Sequence, residues 1–482
     1  MVLVYASGTR LVNASSTRVV IVGGGLAGLA TATALAAEQV PVLLVESRPR
    51  WGGRASSFFD HVSQEWIDNC QHVAMGCCTN FRQFCTRTGL DGCFRTEPAL
   101  YFVAPEGRIH RCAAGPWPAP FHLAGAFARF SFLSGSDKRA LAYGLWALAR
   151  GTAADPHESM AQWLNRHHQP PRVVRYFWQV ILVSALSESL ERMAVAAARQ
   201  VIVQGFLAHR RAWEVWLPAV PLEELYGGRL TQWLSARGVE MRLLAAAEGV
   251  EIDDGLVQGV RLKSGEVVRG SHYVLAVPWH RAAALFPPVW QSHSVLANLD
   301  RLESSPISSV HLWFDRPVLS LPHAVFVEGL CQWVFQRPVV SPQTPSHAGR
   351  HYLQVVISAS RGVRERTAED VLQQVLSELS AVWPAVKGAG LTHWRLVTEQ
   401  RAVFAPLPAA DAWRPPQQSP WPNLQFAGDW TRTGWPATME GAVRSGYLAA
   451  ENILRQLGRD TRVLQPDLPT TGLARSLLGL RS

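Results

Sequence analysis

Between Arg18 and Glu38 the chain runs through nineteen residues without a charge, Val19 to Ala37. That length would suit a membrane span or the apolar core of a secretory leader. Gly23, Gly24, Gly25 and Gly28 stand inside the stretch and argue against both. The pattern splits instead into a four-residue β-branched run, a glycine turn and an alanine-rich helix. It reads as a nucleotide-binding βα unit, and neither leader nor span is expected.

The details of that unit agree. Val19-Val20-Ile21-Val22 suits a buried parallel strand, and Gly23-Gly24-Gly25-Leu26-Ala27-Gly28 fits G-x-G-x-x-G. Gly23 permits the tight turn, Gly25 lets backbone approach a pyrophosphate, and Gly28 lets helix pack on strand. The helix from Leu29 to about Glu38 would aim the amides at its start, near Leu26 and Ala27, at the phosphates. A second strand, Pro41 to Val45, ends at Glu46, eighteen residues past Gly28. An acid there accepts the hydroxyls of an adenosine ribose.

Composition bounds the rest. A chain of 482 residues with 48% hydrophobic and 17% charged residues is globular and large enough for two or three domains. The net charge is +9, and all but Lys138, Lys263 and Lys387 of the 46 basic residues are arginine. No Lys/Arg-rich run occurs, so nucleic acid is not the expected partner. A solvated basic surface is the plain reading; beside an anionic bilayer it would add roughly 1 kcal/mol per residue. Seven cysteines, six of them between Cys70 and Cys112, lack zinc or disulfide spacing. They suit small buried hydrophobes in a reducing cytosol, and the expected location is cytoplasmic, with peripheral contact at the inner membrane face.

Arg50-Trp51-Gly52-Gly53-Arg54 follows Glu46 and resembles the R-x-G-G-R signature of the flavin amine oxidase and phytoene desaturase superfamily. The resemblance implies close backbone approach at Gly52 and Gly53 and a pyrophosphate contact from Arg54. Leu424 to Asp429 and Thr433 to Ala442 resemble the C-terminal flavin motif of the same superfamily. That likeness implies Gly428 and Asp429 near the ribityl phosphate, and Thr438, Met439 and Ala442 near the flavin pyrimidine edge, where a helix dipole favours anionic reduced flavin. The implied cofactor is non-covalent FAD. Val250–Ile252, Val257–Leu262 and Val267–Val268 read as a hairpin, and Tyr273–Pro278 resembles the strand that returns to the nucleotide fold. Ala247 to Val250 would meet the adenine.

The fold class is α/β: a Rossmann-like FAD-binding domain with an amine-oxidase-type layout and a discontinuous α+β substrate domain. The FAD-binding part covers 15–112, 229–290 and 412–460, the substrate part 113–228 and 291–411, and 461–482 is expected to be a loose tail. Ile67-Asp68-Asn69-Cys70-Gln71-His72-Val73, Pro306 to Asp315 and Gln332 to Phe335 resemble the squalene-associated FAD-dependent desaturases, understood as hydroxysqualene dehydroxylases. Cys70 stands where relatives have glycine, and Gln400 where lysine is expected. The implied reaction is reductive removal of an allylic hydroxyl, with hydride from reduced flavin and a proton from Asp68 or His72. The same two residues, with Gln71, would equally serve as loop and core groups. An apolar isoprenoid would lie among Trp117, Phe121, Phe127, Phe130, Phe132, Leu133 and Tyr176–Trp178, and 116–133 would dip into a bilayer interface. Oxidative desaturation of a carotenoid precursor and a non-catalytic flavin-bound scaffold for isoprenoid enzymes remain open beside it. The electron donor is left open.

Overall fold

The computed structural model describes residues 17–151, 155–337 and 351–480. At its centre a parallel sheet of five strands carries the order Glu240–Arg242, Val42–Val45, Val19–Val22, His272–Leu275, Leu424–Phe426. Val19–Val22 and Val42–Val45 are buried throughout, as near-continuous β-branched and leucine runs require when both faces of a parallel sheet are covered. One face is covered by the helices Leu26–Ala37 and Met439–Gln456. These helices touch where Gly446 lies: a Cβ there would stand 2.3 Å from the Ala27 carbonyl oxygen. Thr31 Oγ1 closes the contact by donating to the carbonyls of Ala27 and Gly446.

The expected hairpin is present as Ala247–Asp253, Leu256–Leu262 and Val267–Val268, on the other face of the central sheet. A mixed sheet of seven strands forms the second layer system. Its order is Leu391–Phe404, Ser304–Phe314, His351–Ser358, Trp333–Arg337, His323–Phe326, Leu100–Val103, Ile109–Cys112. Helix Ala368–Val382 covers one face, burying Val371, Leu372, Val375 and Leu379 against Val310, Leu312 and Leu353. The other face meets the hairpin Ser57–Asp60/Glu65–Asp68, where Trp313 stacks on Tyr352 and its indole N–H donates to Glu65 at 2.9 Å.

Three expectations change here. Strands Leu100–Val103 and Ile109–Cys112, expected within the nucleotide part, join the seven-stranded sheet because Leu100–Val103 pairs in parallel with His323–Phe326. Val215–Pro218, expected in the substrate part, pairs with Ala74–Met75 and Phe94–Glu97, so the chain returns to the nucleotide side before 229. The segment expected to be a loose tail is packed. Val463 is buried against Leu35 and Ile453, and the helix Gly472–Leu478 buries Ala474 and Leu478 with Leu141 and Leu148. Scattered single apolar residues do this without a visible period, because an extended segment buries side chains wherever a groove receives them. All seven cysteines are free, five of them buried. Among the described residues no helix is long and apolar enough to cross a membrane.

Candidate functional site

The glycine turn is built as its sequence demands. Gly23 has φ +111°, and a Cβ there would stand 2.6 Å from the Ala276 carbonyl oxygen; a Cβ on Gly28 would stand 2.0 Å from that of Gly23. Both glycines are required by the protein's own backbone. Gly25 is different: its nearest neighbour to an added Cβ is the Gly53 Cα at 4.0 Å. No protein contact demands glycine there, so the position leaves room for something else. The helix begins at Leu26 with neither a side-chain cap nor an acid in its first turn. The first amide bonded back into the helix is that of Leu29, to Gly25, which leaves the amides of Leu26, Ala27 and Gly28 without intrahelical partners. A phosphate fits this donor set and this space.

Glu46 is buried at the end of the second strand. One carboxylate oxygen accepts from the Gly24 amide at 2.7 Å, the other from the Arg48 amide at 2.8 Å and the Ser47 hydroxyl. A carboxylate offers about four lone-pair sites, so it retains capacity for ribose hydroxyls. Gly52 and Gly53 have φ +94° and +64°, and Gly52 donates to the Gly24 carbonyl at 2.8 Å, which ties the two glycine-rich turns together. Ala247 and Val250 lie in the expected hairpin. They pair with Leu262 and Val260 inside the hairpin, and the Val250 side chain is core. The backbone beside the Glu46 turn is that of Leu244 and Ala245, which donate to Arg48 and Glu46 because Glu240–Arg242 runs in register with the second strand.

The C-terminal motif arrives from the far end of the chain. Gly428, with φ +154°, donates to Ser445 Oγ at 2.8 Å. Thr438 caps the helix Met439–Gln456, its hydroxyl accepting from Gly441, and Met439 opens that helix with Ala442 one turn on. Arg54, expected at the pyrophosphate, uses two donors within the protein: one to Asp429 at 2.6 Å and one to the Ala402 carbonyl at 2.8 Å. Ala402 belongs to a bulge, since Val403 pairs with Ser305 and Glu399 with Ile307, leaving Gln400, Arg401 and Ala402 opposite Pro306 alone. Gln400 and Arg401 are exposed there. Arg54 also stands over the Trp279 ring, and beside it lies a cavity of about 360 Å³ lined by Trp279, His280, Leu302, Glu303, Ser304 and Arg401. Arg414, which no motif marked, holds the loop after Asp429 by donating to the carbonyls of Asp429, Thr431 and Trp435.

Asp68 and His72 come together with residues that no motif marked. Asp68 is 1% exposed. Its Oδ1 accepts from Ser57 Oγ at 2.7 Å and the Leu222 amide at 2.9 Å, and its Oδ2 from Arg337 at 2.5 Å. Arg337 also donates to Gln71 Oε1 at 2.7 Å. Both Asp68 oxygens are thus engaged as acceptors within the protein. His72 Nδ1 lies 2.8 Å from the Cys70 carbonyl. A carbonyl only accepts, so Nδ1 carries the hydrogen and Nε2 the lone pair. Burial lowers the His72 pKa against the opposing pull of Asp68, so the ring is neutral at neutral pH. Burial, reinforced by Asp68, pushes the Cys70 thiol up to about 12. Arg337 sits 269 residues from Asp68, and no local spacing could have signalled it.

A glycine cradle with free helix amides, an acid at the second strand and the helix Met439–Gln456 meeting the first define a dinucleotide-type flavoprotein fold. The chain belongs to the flavin-containing amine oxidoreductase family, whose model matches residues 26–454, and it is an FAD-dependent oxidoreductase. It is 27% identical to the 15-cis-phytoene desaturase of Arabidopsis thaliana, covering 92% of this chain and 81% of that protein. It is also 27% identical to the hydroxysqualene dehydroxylase of Rhodopseudomonas palustris, over 91% of this chain and 99% of that one. Cyclohexylamine oxidase from Brevibacterium oxydans superposes with a TM-score of 0.65 at 20% identity, covering 92% of this chain and 100% of that one. At that identity the likeness is one of fold.

Proposed function

We propose that the protein reductively removes the allylic hydroxyl of hydroxysqualene to give squalene, with FAD held non-covalently by the part built on the five-stranded sheet. The observation that carries this reading is the junction at residues 70–75. Cys70, Val73 and Met75 pack against the apolar cluster that holds Phe130, Phe132, Phe177 and Trp178. Asp68, Gln71 and His72 lie on the same short segment, joined through Arg337 and the Cys70 carbonyl. A substrate apolar along its length with one polar group suits that junction, and the R. palustris relative carries the name of this activity.

In this reading Gly25, Leu26 and Ala27 bind the pyrophosphate, Glu46 the ribose, and Asp429, Thr438, Met439 and Ala442 the flavin end. Bound there and reduced, FAD would supply the hydride, which no side chain can do. In balance, hydride joins the allylic carbon, the C–O bond breaks, and the oxygen leaves as water with one proton. His72 carries that proton: Nδ1 anchors the ring to Cys70, and Nε2 holds the substrate oxygen. The apolar cluster keeps water from the allylic carbon. Because burial keeps His72 neutral at rest, the proton is taken up with substrate, and kcat/KM falls as pH rises.

Carotenoid-type desaturation is the second reading, favoured by the same tautomer, since a neutral His72 is already a base. There the activity falls as pH drops through the lowered His72 pKa, the opposite sign. The deciding experiment is anaerobic: reduce the flavin chemically, add hydroxysqualene, and follow the flavin spectrum and extracted lipid. Reoxidation with stoichiometric squalene is expected. A flavin that stays reduced, while phytoene reduces the oxidised form, would transfer the assignment to desaturation.

A further inference from the structure

Of the large apolar side chains left exposed among the described residues, Trp117, at 65%, belongs to a group with Phe121, Tyr143, Trp146, Leu473 and Leu477. Their elements are joined. The helix Gly472–Leu478 starts beside Ala119, whose carbonyl accepts from Thr471 Oγ1 at 3.0 Å, and ends beside Arg150, which donates to the Leu477 carbonyl. It therefore bridges the Trp117–Phe121 turn and the helix Gly135–Arg150. Its inner residues Ala474 and Leu478 are buried, and Leu473 and Leu477, one turn apart, face out. Tyr143 and Trp146 share one face of the longer helix with Arg139 and Arg150, and Arg150 lies over the Trp146 ring. By contrast Val62, Leu244 and Val289 are exposed on unrelated elements.

The charge around this face is mostly positive. Residues 113–150, 207–214 and 470–480 contain seven arginines and lysines and two acids, Asp137 and Glu214, and Glu214 pairs with Arg211. Asp137 is buried and caps its own helix through Ser134. Aromatic rings, aliphatic side chains and a basic surround are what an interfacial surface presents to anionic headgroups. A second copy joined through the same face would set this excess of cations against its equivalent.

We propose that this face, built by the Trp117–Phe121 turn, the helix Gly135–Arg150 and the C-terminal helix Gly472–Leu478, seats the protein on an anionic lipid bilayer. The core beneath it holds Leu123, Phe130, Leu141, Ala474 and Leu478, and the same core reaches Cys70 and Val73. Seating would thus place the bilayer at one end of the apolar region whose other end is the flavin side. That last step rests on the isoprenoid substrate proposed above; lipid binding does not.

Flotation of the holoprotein on sucrose gradients tests it, with phosphatidylcholine vesicles and with equal parts phosphatidylcholine and phosphatidylglycerol. The protein should float with the anionic vesicles, less with the neutral ones, and less again at high salt. Leu473→Ser/Leu477→Ser, and separately Trp117→Ser, should each lower the lipid-bound fraction about tenfold, with flavin absorbance retained and Val289→Ser unchanged. A protein that stays at the bottom with both vesicles, or variants that float like the parent, would overturn the proposal. So would a dimer in light scattering that the Leu473/Leu477 variant dissolves. Failure of hydroxysqualene turnover with intact flotation would strike only the substrate.

Discussion

Asp68 shows how one buried residue constrains many others. Its ion pair with Arg337 has side-chain exposures of 9% and 0%, and breaking such a pair from one side leaves a charge uncompensated. Asp68→Asn should therefore destabilise the fold by about 3–5 kcal/mol, read as a lowered urea midpoint, whatever the substrate. His72→Gln predicts a different split. Gln cannot shuttle a proton, so turnover should fall about 10²-fold or more while flavin content and urea midpoint hold. A His72→Gln enzyme with normal turnover would remove the histidine from the chemistry.

The glycine turn separates residues that the fold needs from residues that a ligand needs. Gly28→Ala would force the helix off its strand, since the new Cβ meets Gly23 at 2.0 Å; loss of both stability and flavin is expected. Gly25→Ala meets nothing in the protein closer than the Gly53 Cα at 4.0 Å. The apoprotein should remain within about 1 kcal/mol of the parent, yet purify with depleted flavin. Absorbance at the flavin band against urea denaturation distinguishes the two. If Gly25→Ala retains full flavin, the cradle is not where the phosphates sit.

For the whole molecule, pH is the lever. His122, His311 and His323 are each no more than 1% exposed. Burial above all lowers their pKa values from 6.5 to about 4, 3 and 4. Unfolding returns each to its ordinary value, so below it the unfolded chain binds more protons. The contribution to stability is full above about pH 6.5 and is lost progressively as pH falls through the folded values. The slope is on the order of 1.4 kcal/mol per pH unit for each group while it titrates. Urea midpoints at neutral and mildly acidic pH should therefore diverge, and equal midpoints would show that these rings reach water. The docked C-terminal segment acts at the same scale: removing residues 461–482 uncovers Leu454, Leu148 and their neighbours, and a lower thermal midpoint is expected.

The glycine turns and strand ends were legible because each contact they make is local or stereotyped. A turn with φ +111° at Gly23 and a helix pressed on a strand at Gly28 need glycine wherever the chain goes next. The βα unit, Glu46, the Gly428–Asp429 strand end and the hairpin could all be placed from residue order alone. What the sequence could not show depends on pairs with no fixed spacing. Arg337 reaches Asp68 across 269 residues, Arg54 turns to Asp429 across 375, and Leu100–Val103 takes His323–Phe326 as its partner. Those choices, which set Asp68 against Arg337 and made the tail a packed element, follow from burial. An apolar or charged side chain takes the partner that tertiary packing brings to it, and local propensity carries no record of which one that is.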